Sequence, residues 1–271
     1  MTRTACRLAA FAAALLVVVP ACDKKKPTEA ASGGDSPRPG SSDARPDTPS
    51  RSGGRSLIAQ SSPRAAVARE QSQMNLKQIG MALHNHHDAV MYFPAGVADP
   101  AGKKVLLSWR VAILPYIEQD NLYKQFKMDE PWDSPANKKL IGLMPKVFAA
   151  PTTEASDGKT YYRGFTGPRT VLNPQFRPNV PIARGMTITQ ITDGSSNTLV
   201  VAEAADPVVW TKPDELEYDP KKPVPKLGGV FEAGFHGLFA DGSVKFLPKS
   251  TDEQTVRNLI DAGDGNVVNL P

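Results

Sequence analysis

The sequence predicts an α+β fold for most of the chain, on three observations. Apolar residues recur at helical spacing over residues 66–90, short β-prone runs fill the chain after Pro145, and the two kinds of segment do not alternate. Helices followed by strands favour an antiparallel sheet with helices packed on it over an alternating α/β arrangement.

The first helix rests on Val67, Leu76, Ile79, Leu83 and Val90, with Arg69, Glu70, Lys77 and Gln78 elsewhere on its surface. No proline interrupts it until Pro94, which with Gly96 ends it. A second helix is predicted over Trp109–Tyr123, where Val111, Leu114, Ile117 and Leu122 fall on one side. Pro115 lies inside that stretch and predicts a kink or a break into two pieces. Strands are predicted at Lys146–Phe148, Thr160–Phe165, Thr198–Glu203, Gly228–Phe231 and Gly237–Phe239, separated by turns at Asp157-Gly158, Asp193-Gly194 and Asp241-Gly242. The clearest hairpin is Leu238–Phe246, two apolar arms about the Asp241-Gly242 turn. A last helix is expected over Asp252–Ala262, with Thr251 as its N-cap.

The chain before this domain has a different character. Arg3 and Arg7 form a short basic region, followed by an uncharged apolar run from Leu8 to Val19. That run is too short to cross a hydrocarbon core, which takes about 20 residues, but suits a cleaved export signal. It ends in Val19-Pro20-Ala21-Cys22-Asp23, an apolar residue three before a cysteine with a small residue between, which resembles a lipobox. By that resemblance residues 1–22 are a lipoprotein signal peptide. Cys22 then becomes the mature N-terminus, carrying palmitate-type acyl chains that hold it to the bilayer. The alternative is an ordinary secretory signal with Cys22 incidental. Cysteine usage favours lipidation, because Cys6 and Cys22 are the only two cysteines and Cys22 has no disulfide partner in the exported part. Residues 23–65 are rich in Ser, Pro, Gly and charged residues, lack aromatics, and read as a disordered tether with a reach of roughly 35–40 Å. Residues 66–271 are long enough for one well-buried domain.

The whole-chain pI of about 9.0 does not describe that domain. Residues 66–271 hold 22 basic and 23 acidic residues, a net of −1, so the basic excess lies in the signal and tether. No basic stripe interleaved with aromatics remains, which argues against a nucleic-acid partner.

Several segments resemble one bacterial family in order along the chain. They are Asn75–Gly80, Ala82–Asp88, Phe93-Pro94, Leu107–Arg110, Leu114–Gln119, Asp129–Ser134, Ile191–Thr198, Trp210–Pro213 and Ala240–Phe246. The family is that of the domain of unknown function 1559, whose members are usually pseudopilin-like. The resemblance implies a pilin-like layout, with the long N-terminal helix packed on an antiparallel β-sheet, and no established activity. Two departures stand out. The apolar membrane-inserting first half of the usual helix is replaced here by the lipobox-like signal and the tether, so pilus-type assembly through it is not carried over. The family's usual histidine, ten residues before the aspartate of the Asp-Gly turn, falls at Phe231, with His236 nearby.

Candidate chemistry is sparse. His84, His87 and Asp88 fall on one helix face, where two imidazoles and a carboxylate could meet a metal. The alternative is packing at a helix–sheet junction. Asp193, Asn197, Glu203 and Asp241 are oxygen donors in or beside turns and suit Ca²⁺, although an aspartate before glycine is first a turn former. Trp132 and Trp210, with Asp193 and Asn197, are candidates for a ligand groove; Trp109 reads as core. There is no Gly-x-Ser-x-Gly elbow, no phosphate-binding glycine loop and no Cys-x-x-Cys, so no cofactor and no enzyme are expected. The resulting expectation is a lipid-anchored protein on the exported side of a membrane, at the periplasmic face or in the outer membrane. It would act without catalysis, through contacts with pilin-like or other envelope proteins. A periplasmic ligand-binding module is the alternative, and a hydrolase using Asp193, Glu203 or His236 the third reading.

Overall fold

The computed structural model describes residues 63–151, 158–266 and 268. The expected signal peptide 1–22, Cys22, nearly all of the tether 23–65 and Asp157 of the Asp157-Gly158 turn lie outside these residues. Among the described residues no helix is long and apolar enough to cross a membrane.

The architecture is α+β. Helix α1 (Pro63–Val90) buries a stripe of Ala65, Ala68, Ser72, Leu76, Ile79, Leu83 and His86, at spacings of three or four, with His87 beside its end. This is the spacing that keeps one side of a 3.6-residue helix against a partner. Val67, expected on this stripe, is 67% exposed. It lies nine residues before Leu76, which at about 100° per residue puts it on the opposite face. Val90, at the frayed end, is also exposed.

Two sheets follow. The smaller is antiparallel, in the order β2-β1-β4, from β1 (Pro94–Ala98), β2 (Val105–Leu107) and β4 (Ile182–Arg184). The larger has the order β6-β3-β5-β7-β8, from β3 (Lys159–Thr166), β5 (Leu199–Val209), β6 (Leu216–Glu217), β7 (Gly234–Phe239) and β8 (Val244–Pro248). Its pairings are antiparallel except the short parallel one between β6 and β3. Helix α1 packs on β7, β8 and β1. The approach is closest at Gly80, where a Cβ would come within 2.8 Å of Leu238 Cδ1, so α1 reaches the β7–β8 hairpin only because that side chain is missing.

The expected second helix is broken into α2 (Trp109–Ala112), a 3₁₀ turn at Leu114–Ile117 and α3 (Asp120–Tyr123). Pro115 supplies no N–H to continue it, and Glu118 takes a left-handed φ of 61° that ends the turn. Two expected strands are absent. Lys146–Phe148 is a 3₁₀ turn, entered from Pro145, whose carbonyl accepts from Phe148 N at 3.0 Å. Gly228–Phe231 makes only isolated bridges around it, Leu227 to Ala204 and Phe231 to Gly234, with Gly228 at a φ of 82° that breaks the extended run. The last helix, α4 (Glu253–Ile260), is capped by Asp252 instead of Thr251: its carboxylate accepts from Thr255 N at 2.8 Å and from Thr255 Oγ1 at 2.6 Å.

Candidate functional site

The titratable residues that the sequence singles out are mostly used up by the fold. His86 and His87 are buried where α1 meets the small sheet. His86 Nδ1 lies 3.1 Å from Tyr92 O, with its ring edge-on to Tyr92 and Tyr116. His87 Nε2 accepts from Ile188 N at 3.3 Å. Burial pulls both imidazoles below the ordinary histidine range, against the Tyr92 carbonyl for His86 and the Asp88 charge for His87. His84 packs edge-on against Phe93, and Asp88 stands in solvent. The expected metal trio of His84, His87 and Asp88 is therefore split between core and surface. Among the described residues no three His, Cys, Asp or Glu side chains are placed to hold a metal.

Asp193 and Asn197 clasp the chain's last described loop. Asp193 accepts from Asp264 N at 2.8 Å and Gly265 N at 3.0 Å, and Asn197 Oδ1 accepts from Val268 N at 3.1 Å. Arg169 ties the same loop through a bidentate bond to buried Asp261. Asp241 closes its own hairpin turn by accepting from Ser243 N at 2.8 Å. Trp210 is fully buried, stacked on Phe148, with Nε1 donating to Ile141 O at 2.9 Å. Trp132 is half-buried beneath Lys212. Of the candidate groove residues, Asp193 and Asn197 are buried holding the last described loop and Trp210 is core, which leaves Trp132 half-buried at the surface. Trp109 is core, as its sequence context indicates.

Two polar clusters lie inside the domain. In the first, Glu203 on β5 is fully buried and accepts from the Ser72 hydroxyl, from His236 N at 2.6 Å and from His236 Nδ1 at 3.2 Å. The Tyr162 hydroxyl is 2.8 Å from Ser72 Oγ, and Asn75 Nδ2 donates to it at 3.3 Å. Burial pushes the Tyr162 hydroxyl above the usual tyrosine range, and the nearby Glu203 charge acts in the same direction. Phe231 packs edge-on against His236. Asp193 is no part of this cluster; of the residues named in the hydrolase reading, Glu203 and His236 meet here as a buried, hydrogen-bonded pair. Ser72, Asn75 and Tyr162 were not foreseen, although two polar residues three apart on a buried helical stripe are a sequence signal for an internal hydrogen-bonded group.

In the second cluster, the fully buried Arg110 is paired with Glu215 at 3.0 Å and also donates to the carbonyls of Tyr162, Trp210 and Lys212. Glu215 further accepts from Ser108 Oγ at 3.1 Å and Gly164 N at 2.7 Å. Burial lowers the Arg110 guanidinium and the Glu215 carboxylate opposes that shift. Glu215, with Arg110 buried behind it, lines a cleft of about 550 Å³ whose walls include Val105, Asn173, Asp214 and Glu217. Asp214 is itself engaged by Arg163 at 2.7 Å and Lys212 at 2.8 Å, so the acids of the cleft are balanced by bases beside them.

The outer face of α1 is different again. Val67, Met74 and Met81 stand seven residues apart and are 67%, 49% and 60% exposed. The exposed Gln71, Gln78 and Asn85 follow the row on one flank, and the exposed Glu70 and Lys77 on the other. The row runs into a groove of about 340 Å³ that Gln78, Met81 and Asn85 form with Tyr116, Ile117 and Glu118.

Comparison with curated proteins and with solved structures gives no match. The family model that does match covers residues 61–224, from just before α1 to beyond β6, and leaves the β7–β8 hairpin outside. That span is more than half of the chain, and the chain belongs to the family described as protein of unknown function (DUF1559).

Proposed function

We propose that this protein is a lipid-anchored envelope lipoprotein whose domain acts through protein contacts and not by catalysis. The observation that carries the reading is the outer face of α1, a row of exposed apolar side chains flanked by Gln71 and Gln78 on one side and by Glu70 and Lys77 on the other, on a helix whose opposite face is buried in the core. Exposed apolar side chains scattered singly need no explanation, but an aligned row marks a contact surface. The seating of α1 on the antiparallel β7 and β8 supports a pilin-like layout. The lipobox-like Val19–Cys22 supports acylation at Cys22, and the Lys24-Lys25-Lys26 run suits anionic headgroups beside it. The Glu203–His236 pair suits a structural role better than a hydrolytic one, because the carboxylate's acceptor sites are already filled from α1 and β7.

A periplasmic ligand-binding module is the second reading, and the cleft lined by Lys212, Asp214 and Glu215 favours it. Labelling cells with a fatty-acid analogue tests the first. The full chain should take up label and sediment with membranes, and Cys22→Ser should abolish both. An unlabelled protein that fractionates as soluble would refute the anchor.

A further inference from the structure

We propose that the outer face of α1 pairs with the same face of a second copy of this chain, the two helices running antiparallel about Met74. The inference rests on reading this face as a contact surface and names its partner.

A seven-residue repeat is what allows two helices to stay in contact along their length, since two turns return nearly the same side to the partner. Val67, Met74 and Met81 keep that repeat and span about 21 Å at a rise of 1.5 Å per residue. The row is symmetric about its middle member. A two-fold axis through Met74 sets Met74 against Met74 and Val67 of each copy against Met81 of the other, the isologous contact expected of a dimer. The groove beside Met81, walled by Tyr116 and Ile117, is then the recess that receives Val67 of the second copy.

Charge selects the direction. Glu70 and Lys77 flank the row, are exposed, and have no ion-pair partner among the described residues. In the antiparallel arrangement Glu70 of each copy meets Lys77 of the other, giving two symmetric pairs. A parallel arrangement instead sets the Glu70 and Lys77 flank of each copy across from the Gln71 and Gln78 flank of the other, and forms no such ion pairs. The contact is short compared with stable interfaces, which bury about 1,200–2,000 Å². The dimer is therefore weak in free solution and favoured where copies are held together on one surface.

The test is disulfide trapping of the full chain in membranes under mild oxidation, with the unsubstituted chain as background. Met74→Cys alone should give a crosslinked homodimer. Val67→Cys co-expressed with Met81→Cys should crosslink at least fivefold more than Val67→Cys alone. Glu70→Lys placed in the Met74→Cys chain should cut the yield several-fold, and adding Lys77→Glu should restore it. No dimer above background at Met74, or equal trapping by Val67→Cys alone, overturns the proposal. Trapping of a different protein at Met74 without a homodimer also overturns it, while leaving the contact-surface reading standing. All these positions are exposed, so unchanged thermal unfolding of each variant confirms that a lost crosslink is not a lost fold.

Discussion

The interior of this domain and the outer face of α1 handle their chemistry in opposite ways. Inside, Arg110, Glu215, Glu203, Ser72 and Asn75 each spend their donors or acceptors on a named partner. Outside, Val67, Met74 and Met81 are presented to solvent, flanked by Glu70 and Lys77, which make no ion pair among the described residues. Burying a polar group costs least when it is paired, so the hydrogen bonds of the interior clusters contribute to stability. An aligned apolar row gives the isolated fold nothing, so its explanation lies in contact with something else.

The contrast is broken most severely at Arg110. Arg110→Ala leaves Glu215 buried without its cation and should cost about 3–5 kcal/mol of unfolding free energy in denaturant titration. A loss below about 1 kcal/mol would mean that the cluster is not needed for stability. Ser72→Ala removes one donor to Glu203 and one neighbour of Tyr162, with an expected loss of about 1–3 kcal/mol by the same measurement.

Acid should sharpen the comparison. His86 and His87 are held below the ordinary range when folded, so the unfolded chain binds more protons as pH falls through about 6.5. Stability therefore declines from pH 7.5 to 5.5, and the denaturant midpoint should fall with it. His86→Gln should flatten the trend, whereas a midpoint that rises on acidification would contradict the burial argument. The smallest effect belongs to the outer row. Met74→Lys should change the stability of the monomer by no more than about 0.5 kcal/mol while preventing self-association, read by unfolding and by sedimentation of the same sample.

Local pattern carried much of the fold. The α1 spacing, the Asp241-Gly242 hairpin and the disruption at Pro115 are properties of neighbouring residues, and each is found where the spacing puts it. The small sheet was not legible, because β1 pairs with β4 across more than 80 residues through strands of three to five residues. Lys146–Phe148 is β-prone and nevertheless turns, since the proline before it and the burial of Phe148 outweigh propensity. Of the site, Glu203 and His236 were singled out separately, but no local rule says that they meet. Asp193 and Asn197 fit a metal or ligand on chemistry alone; the backbone N–H groups of Asp264, Gly265 and Val268 that take their oxygens are invisible until the tail is placed. Glu215 sits in a Pro-Asp-Glu loop that reads as solvated, and its pairing with Arg110 arises only when α2 meets the segment after β5.

The division between the two faces of α1 is tested most directly by denaturant unfolding of Leu76→Ala and Met74→Ala, side by side, at concentrations low enough to keep the chain monomeric. Leu76→Ala should lose about 2–5 kcal/mol, because the vacated volume lies in the core, and Met74→Ala should stay within about 0.5 kcal/mol of the parent. Comparable losses in the two variants would show that both faces build the fold, and the outer row would no longer stand as a contact surface.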